Sequence, residues 1–272
     1  MAGKQLKTFY FKGNFGDILT PYLLEMLHPD IRVSHVEHGS IDQAEFIGIG
    51  SIMEWALTIK TPVTIWGSGL MLPDSTHIAA PNHNLLAVRG KLTAERLGFQ
   101  GALGDPGLLV STIIPARPKK YKYGFIPHYV DKKLPSAQKI LELPDVRLID
   151  VVNCNQEDSA FCQQFLEQVA ECETIISSSL HGVVVADAFR IPNAHLMLSD
   201  GVYGNNYKFR DYYSAFDQEH QMLDLRNVTE ANLDSITVNL LDSAIANYKA
   251  KPNLESLQDD LILSLRSWLS QG

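Results

Sequence analysis

The stretch Ile175-Ile176-Ser177-Ser178-Ser179-Leu180-His181-Gly182-Val183-Val184-Val185-Ala186-Asp187-Ala188-Phe189 decides how the rest of the chain is read. A short β-branched run leads into three serines and a His-Gly pair, and an apolar segment at helical spacing follows. That is a strand, a turn and a helix. The signature recurs outward. Toward the N-terminus, strand candidates are Lys7 to Phe11, Ile31 to Val36, Phe46 to Ile49, Val63 to Trp66 and Leu85 to Val88, with helices at Asp17 to Leu27 and Leu92 to Leu97. Around the opening stretch, strands are predicted at Tyr123 to Pro127, Val146 to Val152, Thr174 to Ser178 and Ala194 to Leu198, with helices at Ser159 to Ala170 and His181 to Phe189. Short apolar strands alternating with helices predict an α/β fold with a mostly parallel sheet.

The segment Ile114-Pro115-Ala116-Arg117-Pro118-Lys119-Lys120 breaks the alternation and reads as a linker. It divides the chain into an N-terminal Rossmann-like half, 1–116, and a C-terminal Rossmann-like half, 117–250, with a packing helix over 251–272. Glu230 to Tyr248 and Leu254 to Leu269 read as amphipathic helices. Two such halves facing a cleft resemble the architecture of GT-B glycosyltransferases, which is a statement about fold and not about function. Glycine clusters close three strands of the first half: Lys12-Gly13-Asn14-Phe15-Gly16-Asp17, Gly48-Ile49-Gly50-Ser51 and Trp66-Gly67-Ser68-Gly69. Glycine there lets the backbone turn tightly and approach a ligand at the carboxyl edge of the sheet.

Composition narrows the function classes. The chain has 272 residues, 45% hydrophobic and 20% charged, with 23 Lys+Arg against 31 Asp+Glu for a net charge of -8. An acidic chain without a basic run is a poor binder of nucleic acid or anionic membrane. An anionic ligand must be gripped by a few placed cations. Three cysteines, Cys154, Cys162 and Cys172, make no CxxC pair, so a reducing, cytoplasmic setting is expected. The N-terminus shows no secretory leader, and no apolar run approaches the roughly 18 residues of a membrane span. Neither GxxxxGK[ST], GxGxxG, HExxH nor GxSxG occurs, and no Cys/His cluster has metal spacing. No metal and no cofactor are expected.

Within that frame, Ser178, Ser179, Leu180 and Gly182 sit at a helix N-terminus, where free N–H groups and the dipole suit an anion, and His181 can exchange protons there. Serines at such a turn also simply cap helices. Lys208 and Arg210, in Asn205-Asn206-Tyr207-Lys208-Phe209-Arg210-Asp211-Tyr212-Tyr213, are cations fit to hold a phosphate or carboxylate, or the start of a solvated helix. Arg89 follows a buried strand at its functional end; a surface arginine is the plain alternative. His128 follows the Tyr123 to Pro127 strand, and Gly104-Asp105-Pro106-Gly107 reads as a positioning turn.

Taken in order, Gly13-Asn14-Phe15-Gly16-Asp17, Gly48-Ile49-Gly50-Ser51, Trp66-Gly67-Ser68-Gly69, Val88-Arg89-Gly90-Lys91-Leu92-Thr93, Gly104-Asp105-Pro106, Ile126-Pro127-His128, Ser177-Ser178-Ser179-Leu180-His181-Gly182 and Lys208-Phe209-Arg210-Asp211-Tyr212-Tyr213 resemble the polysaccharide pyruvyl transferases, particularly the short members that act on exopolysaccharides. Gly90 departs from the acidic residue that many members carry after the arginine. The resemblance implies phosphoenolpyruvate as donor, a glycan acceptor in polymer or lipid-linked form, a cyclic pyruvate ketal as product and released phosphate. It implies His181 as the acid/base, and Arg89, Lys208 and Arg210, with the turn at Ser178, Ser179, Leu180 and Gly182, as the anion grip. His128, Asn14, Asp17, Gly67 and Ser68 complete the expected substrate contacts. Lipid-linked acceptors are built at the cytoplasmic membrane face, which implies peripheral membrane association, although the sequence shows no amphipathic anchor. A nucleotide-sugar glycosyltransferase and a non-catalytic sugar-phosphate binding protein are the competing readings.

Overall fold

A computed structural model describes residues 4–74, 83–152, 157–204 and 206–271; Cys154 and Asn205 lie outside them. In chain order the elements are β1 Lys4–Phe9, α1 Phe15–Leu27, β2 Ile31–Val36, β3 Phe46–Ile47, α2 Met53–Ala56, β4 Thr64–Trp66, β5 Asn84–Val88, α3 Lys91–Leu97 and β6 Ala102–Leu103. There follow β7 Tyr121–Ile126, α4 Pro135–Leu141, β8 Val146–Leu148, α5 Asp158–Ala170, β9 Cys172–Ser177, α6 Leu180–Ala188, β10 Asn193–Met197, α7 Tyr207–Ser214, β11 Met222–Asp224, α8 Val238–Ala246 and α9 Leu254–Leu269. The chain is α/β, with helices flanking two parallel sheets. The predicted strands and helices of the alternating pattern all appear, with ends shifted by a few residues, as fraying ends commonly are. The stretch Glu230 to Tyr248 is divided: a 3₁₀ turn at Glu230–Ser235 precedes α8.

The chain divides into two compact units. The first comprises Met1–Leu109, Asn206–His220 and Pro252–Gly272; the second comprises Val110–Asn205 and Gln221–Lys251. Division in sequence order puts 206–220 in the second half, whereas the folded chain packs it in the first unit. α7 follows β10 in sequence, but its packing partner is α3.

The first unit carries a six-stranded sheet in the order β2-β1-β3-β4-β5-β6. The second carries a five-stranded sheet in the order β11-β10-β9-β7-β8. Among the described residues every strand pairing is parallel. In each sheet the unit's first strand has its second strand on one side and its third on the other. This is the doubly wound arrangement, in which the two directions of winding part at the carboxyl ends of adjacent strands. That switch point lies between β1 and β3 in the first unit and between β7 and β9 in the second.

Each unit has its own core. In the first, Phe9, Ile47, Met53, Ile65 and Val88 pack together with Tyr207 of α7. α9 covers β5 and β6, and the Trp66 indole N–H donates to the Leu261 carbonyl at 3.1 Å. In the second, Tyr123, Phe125, Ile140, Ile176, Leu196 and Leu241 form the core. Burial at ~25 cal/mol per Å² of apolar surface holds both together.

Candidate functional site

In the second unit, β7 and β9 end side by side, with Ile126 paired to Ser177. The chain leaves β9 through Ser178 and Ser179 and enters α6 at Leu180. Ser177 and Ser178 anchor this turn and do not cap the helix. The Ser177 hydroxyl donates within reach of the carbonyls of Ile126 (2.9 Å) and Ser179 (2.8 Å) and accepts from the Ser179 N–H (3.0 Å). The Ser178 hydroxyl accepts from the His128 N–H at 2.9 Å, and the Ser178 N–H donates to the Ile126 carbonyl at 3.1 Å. The loops after β7 and β9 are therefore one bonded structure at the switch point, which the spacing of His128 and Ser178 in sequence does not reveal.

α6 itself has no side-chain cap and no acidic residue in its first turn. Its first turn thus carries no carboxylate of its own to offset the N-terminal dipole, a condition that favours an anion at a helix start. His181 is the second residue of α6 and keeps 9% of its surface. Gly182 lets the helix sit this close to the sheet, because a Cβ there would lie 2.3 Å from the Ser177 Oγ and 3.0 Å from the Ile126 Cγ2. Ser178, Ser179 and Leu180 are buried, and His128 is half-buried.

The far end of α6 is held by a buried ion pair. Asp187 lies 3.6 Å from the Lys251 Nζ and accepts from the Asn193 side-chain amide at 2.8 Å. A carboxylate near a helix C-terminus opposes the dipole, and the lysine offsets it. Burial lowers the Lys251 pKa, with Asp187 opposing that shift. α6 is therefore fixed at both ends, which holds His181 in place.

In the first unit, Asn14 accepts from the Gly16 N–H at 3.0 Å as the N-cap of α1. Half-buried Asp17 lies in the first turn of that helix, with a carboxylate oxygen 3.4 Å from where a Gly50 Cβ would stand. Ser68 is wholly buried and donates to the Gly50 carbonyl at 3.0 Å; Gly67 has φ +81 and Pro106 packed against it. Asn14, Asp17, Gly67 and Ser68 thus gather at the carboxyl edge of adjacent strands β1, β3 and β4. Gly67 and Ser68 serve the backbone there.

Arg89 stands differently from its expected role. It is 0% exposed. Its guanidinium donates to the Asp211 Oδ2 (2.9 Å), the Ser51 Oγ (2.5 Å) and the Leu70 carbonyl (2.6 Å). Asp211, also 0% exposed, accepts further from the Thr93 N–H and Thr93 Oγ1, both at 2.8 Å. This buried network ties α7 to the turn between β5 and α3. The Lys91 N–H adds a bond to the Ser214 Oγ at 2.8 Å. Glycine at position 90 admits this contact, since a Cβ there would lie 1.8 Å from the Asp211 carbonyl oxygen.

On the helix so anchored, Lys208 is half-buried and Arg210 exposed. The structure therefore brings Lys208 and Arg210 together with Arg89 on one support, with the arginine acting from inside. Asp211, Thr93, Ser51 and Ser177 were not singled out from sequence. Asp211 is buried on α7 together with Tyr207, Phe209, Tyr212 and Tyr213.

Cys162 and Cys172 are buried, and burial pushes the Cys172 thiol up to about 12. Among the described residues no group of His, Cys, Asp and Glu is arranged to hold a metal, and no helix is long and apolar enough to cross a membrane.

Two doubly wound parallel units, the second with a histidine on the first turn of the helix that follows β9, define an α/β protein of two Rossmann-like halves. The profile described as Polysaccharide pyruvyl transferase matches residues 14–200. The chain belongs to that family. It is 27% identical over 216 residues to the succinoglycan biosynthesis protein ExoV of Rhizobium meliloti, covering 76% of this chain and 64% of that protein, so it spans under two thirds of ExoV's length. It is 34% identical over 228 residues to protein L143 of Acanthamoeba polyphaga mimivirus, covering 78% of this chain and 75% of that one. A crystal structure from Klebsiella pneumoniae covers 84% of this chain and 93% of its own at 11% identity, with a TM-score of 0.49.

Proposed function

We propose that this chain transfers the enolpyruvyl group of phosphoenolpyruvate to a sugar of an exopolysaccharide or its lipid-linked precursor, forming a cyclic pyruvate ketal and releasing phosphate. The observation that carries this is the uncapped α6 start, with His181 on its first turn, inside the region 14–200 that matches the family. The relative named for succinoglycan biosynthesis supports an exopolysaccharide as the acceptor class.

The chemistry assigns roles. Protonation of the enol at C3 makes C2 an oxocarbenium-like centre. A sugar hydroxyl adds to C2 and gives up its proton. The C2–O bond to phosphate breaks, and a second hydroxyl closes the ring as its proton leaves with the phosphate. The sequence needs one acid/base and a grip for two anionic groups. His181 supplies the first. The N–H groups at Leu180, His181 and Gly182, bordered by Ser178 and Ser179, suit an anion. Lys208 and Arg210 are the proposed additional cations, and His128, Asn14 and Asp17 are the proposed acceptor contacts. Arg89 moves from ligand to support, holding the helix of Lys208 and Arg210. The reaction would run in the cytoplasm, where phosphoenolpyruvate is made, with peripheral association at the membrane if the acceptor is lipid-linked.

The first experiment is thermal stabilisation by phosphoenolpyruvate against UDP, GDP and inorganic phosphate. Ligand at about 100 times its Kd adds ~2.7 kcal/mol to the bound state. A shift specific to phosphoenolpyruvate and lost in Lys208→Ala supports the reading. A shift with UDP or GDP alone replaces it with a nucleotide-sugar transferase. In turnover, His181→Ala should lose about 100-fold or more, and near-normal turnover would remove His181 from the acid/base role.

A further inference from the structure

The loops that leave β7 and β10 flank the His181 turn, because β9 lies between those two strands. They are joined to each other directly. The Ser199 hydroxyl donates to the Asp131 Oδ1 at 2.5 Å, and Asp131 is wholly buried. Val130 packs on the second loop, its Cγ2 3.4 Å from where a Gly201 Cβ would stand. Each loop is also internally bonded. The Asp131 and Lys132 N–H groups donate to the His128 carbonyl at 2.9 and 3.2 Å, and the Gly201 N–H donates to the Ser199 Oγ at 3.0 Å.

On this preformed support sit Tyr129, 55% exposed, Val130, 39% exposed, and Tyr203, 64% exposed. Among the described residues these are three of the six exposed large apolar side chains. Their concentration on two touching loops is what separates them from the scattered apolar residues of any surface. The His128 ring packs on Tyr129 at a centroid distance of 4.3 Å. The surrounding groups are polar: Asp200, next to Ser199, pairs with Arg226 at 2.7 Å, and Arg226 also pairs with Asp224.

We propose that Tyr129 and Tyr203 form the platform for a pyranose ring of the glycan acceptor, beside the His181 turn. A pyranose has one face of C–H groups and a rim of hydroxyls. The C–H face is weakly positive and suits the negative face of a tyrosine ring, while the rim suits phenol, imidazole and carboxylate partners. A phosphate or an enolpyruvate has no such face. Because both loops are bonded in place, binding loses little conformational freedom, which is how weak stacking contacts become useful. The choice of a glycan rests on the pyruvyl-transfer reading, but the site can be tested without a donor.

The test is saturation-transfer NMR on the whole chain with methyl β-D-galactopyranoside and methyl β-D-glucopyranoside as probes, with mannitol and UDP as controls. Wild type should transfer saturation to ring C–H protons of at least one pyranoside and not to mannitol. Tyr129→Ala and Tyr203→Ala should each weaken that signal about fivefold or more, the size of one lost aromatic contact. Tyr129→Phe should keep most of it, and Leu263→Ala, at an exposed apolar position on α9, should keep all of it. Absence of any pyranoside signal in wild type overturns the proposal, as does an undiminished signal in both alanine variants. A Tyr-dependent UDP signal without a sugar signal also overturns it and makes the platform a base-stacking site. A sugar signal that survives while phosphoenolpyruvate fails to stabilise the protein upholds the platform and sinks the donor assignment alone.

Discussion

Removing Arg89 should destabilise the first unit severely, and the size follows from its surroundings. The side chain is fully buried and makes bonds to Asp211, Ser51 and the Leu70 carbonyl. Arg89→Ala leaves the Asp211 carboxylate in place, still bonded to Thr93 but without a countercharge. Breaking a buried pair from one side costs ~3–5 kcal/mol, because an uncompensated charge stays buried. That is a large fraction of the ~5–15 kcal/mol that holds a domain. Asp211→Asn should cost a similar amount from the other side, by stranding the guanidinium. The pair Arg89→Met with Asp211→Leu should cost clearly less than the sum of the single changes, since neither charge is stranded. Urea unfolding followed by tryptophan fluorescence reads this cleanly: Trp55, Trp66 and Trp268 all lie in the first unit. A loss below ~1 kcal/mol in Arg89→Ala, typical of an exposed pair, would refute the argument and return Arg89 to the list of ligand contacts.

Further outcomes are expected. Gly90→Ala places a Cβ against the Asp211 backbone carbonyl and should cost ~1–3 kcal/mol in the same urea assay; an unchanged midpoint would mean that α7 can slide. Lys251→Met leaves buried Asp187 without its countercharge and should lower the unfolding free energy of the second unit by ~3–5 kcal/mol, read by circular dichroism in urea; no change would show that the pair holds nothing. Cys162 and Cys172 should resist iodoacetamide at pH 8 in the folded protein and react after denaturation; rapid native alkylation at either would contradict their burial. The Cys172 thiol keeps its proton to about 12 in the fold, against an ordinary value near 9.0. Between those values the native state binds more protons than the unfolded chain, so stability should fall as pH rises through that window. Cys172→Ala should flatten that fall.

The kinds and order of the elements were legible because they are local properties. The β-branched run before Ser177, the apolar helix after it and the glycines after β1, β3 and β4 act within a few residues, and they define an alternating α/β chain. The helix start at His181 was legible for the same reason: an N-terminus needs only its own turn to present its N–H groups. α4 escaped the sequence reading although Pro135 at its first turn marks it. α7 was left open between a solvated helix start and a ligand grip, since its chemistry depends on what it packs against.

Local sequence therefore carries the class of fold, the positions of most strands and helices, the family resemblance and the histidine turn. Tertiary structure alone decided that the loops of His128 and Ser178 share a hydrogen bond, that Tyr129 and Tyr203 stand on touching loops, and that 206–220 belongs with the first unit. It also decided that Arg89 is an internal strut. The reason is distance along the chain. Arg89 and Asp211 are 122 residues apart in sequence and 2.9 Å apart in space. Whether a strand-end arginine meets solvent or a buried carboxylate depends on a segment that no local pattern around Arg89 encodes. Only the packing of α7 against the β5–α3 turn, with glycine at position 90 to admit it, brings the two charges together.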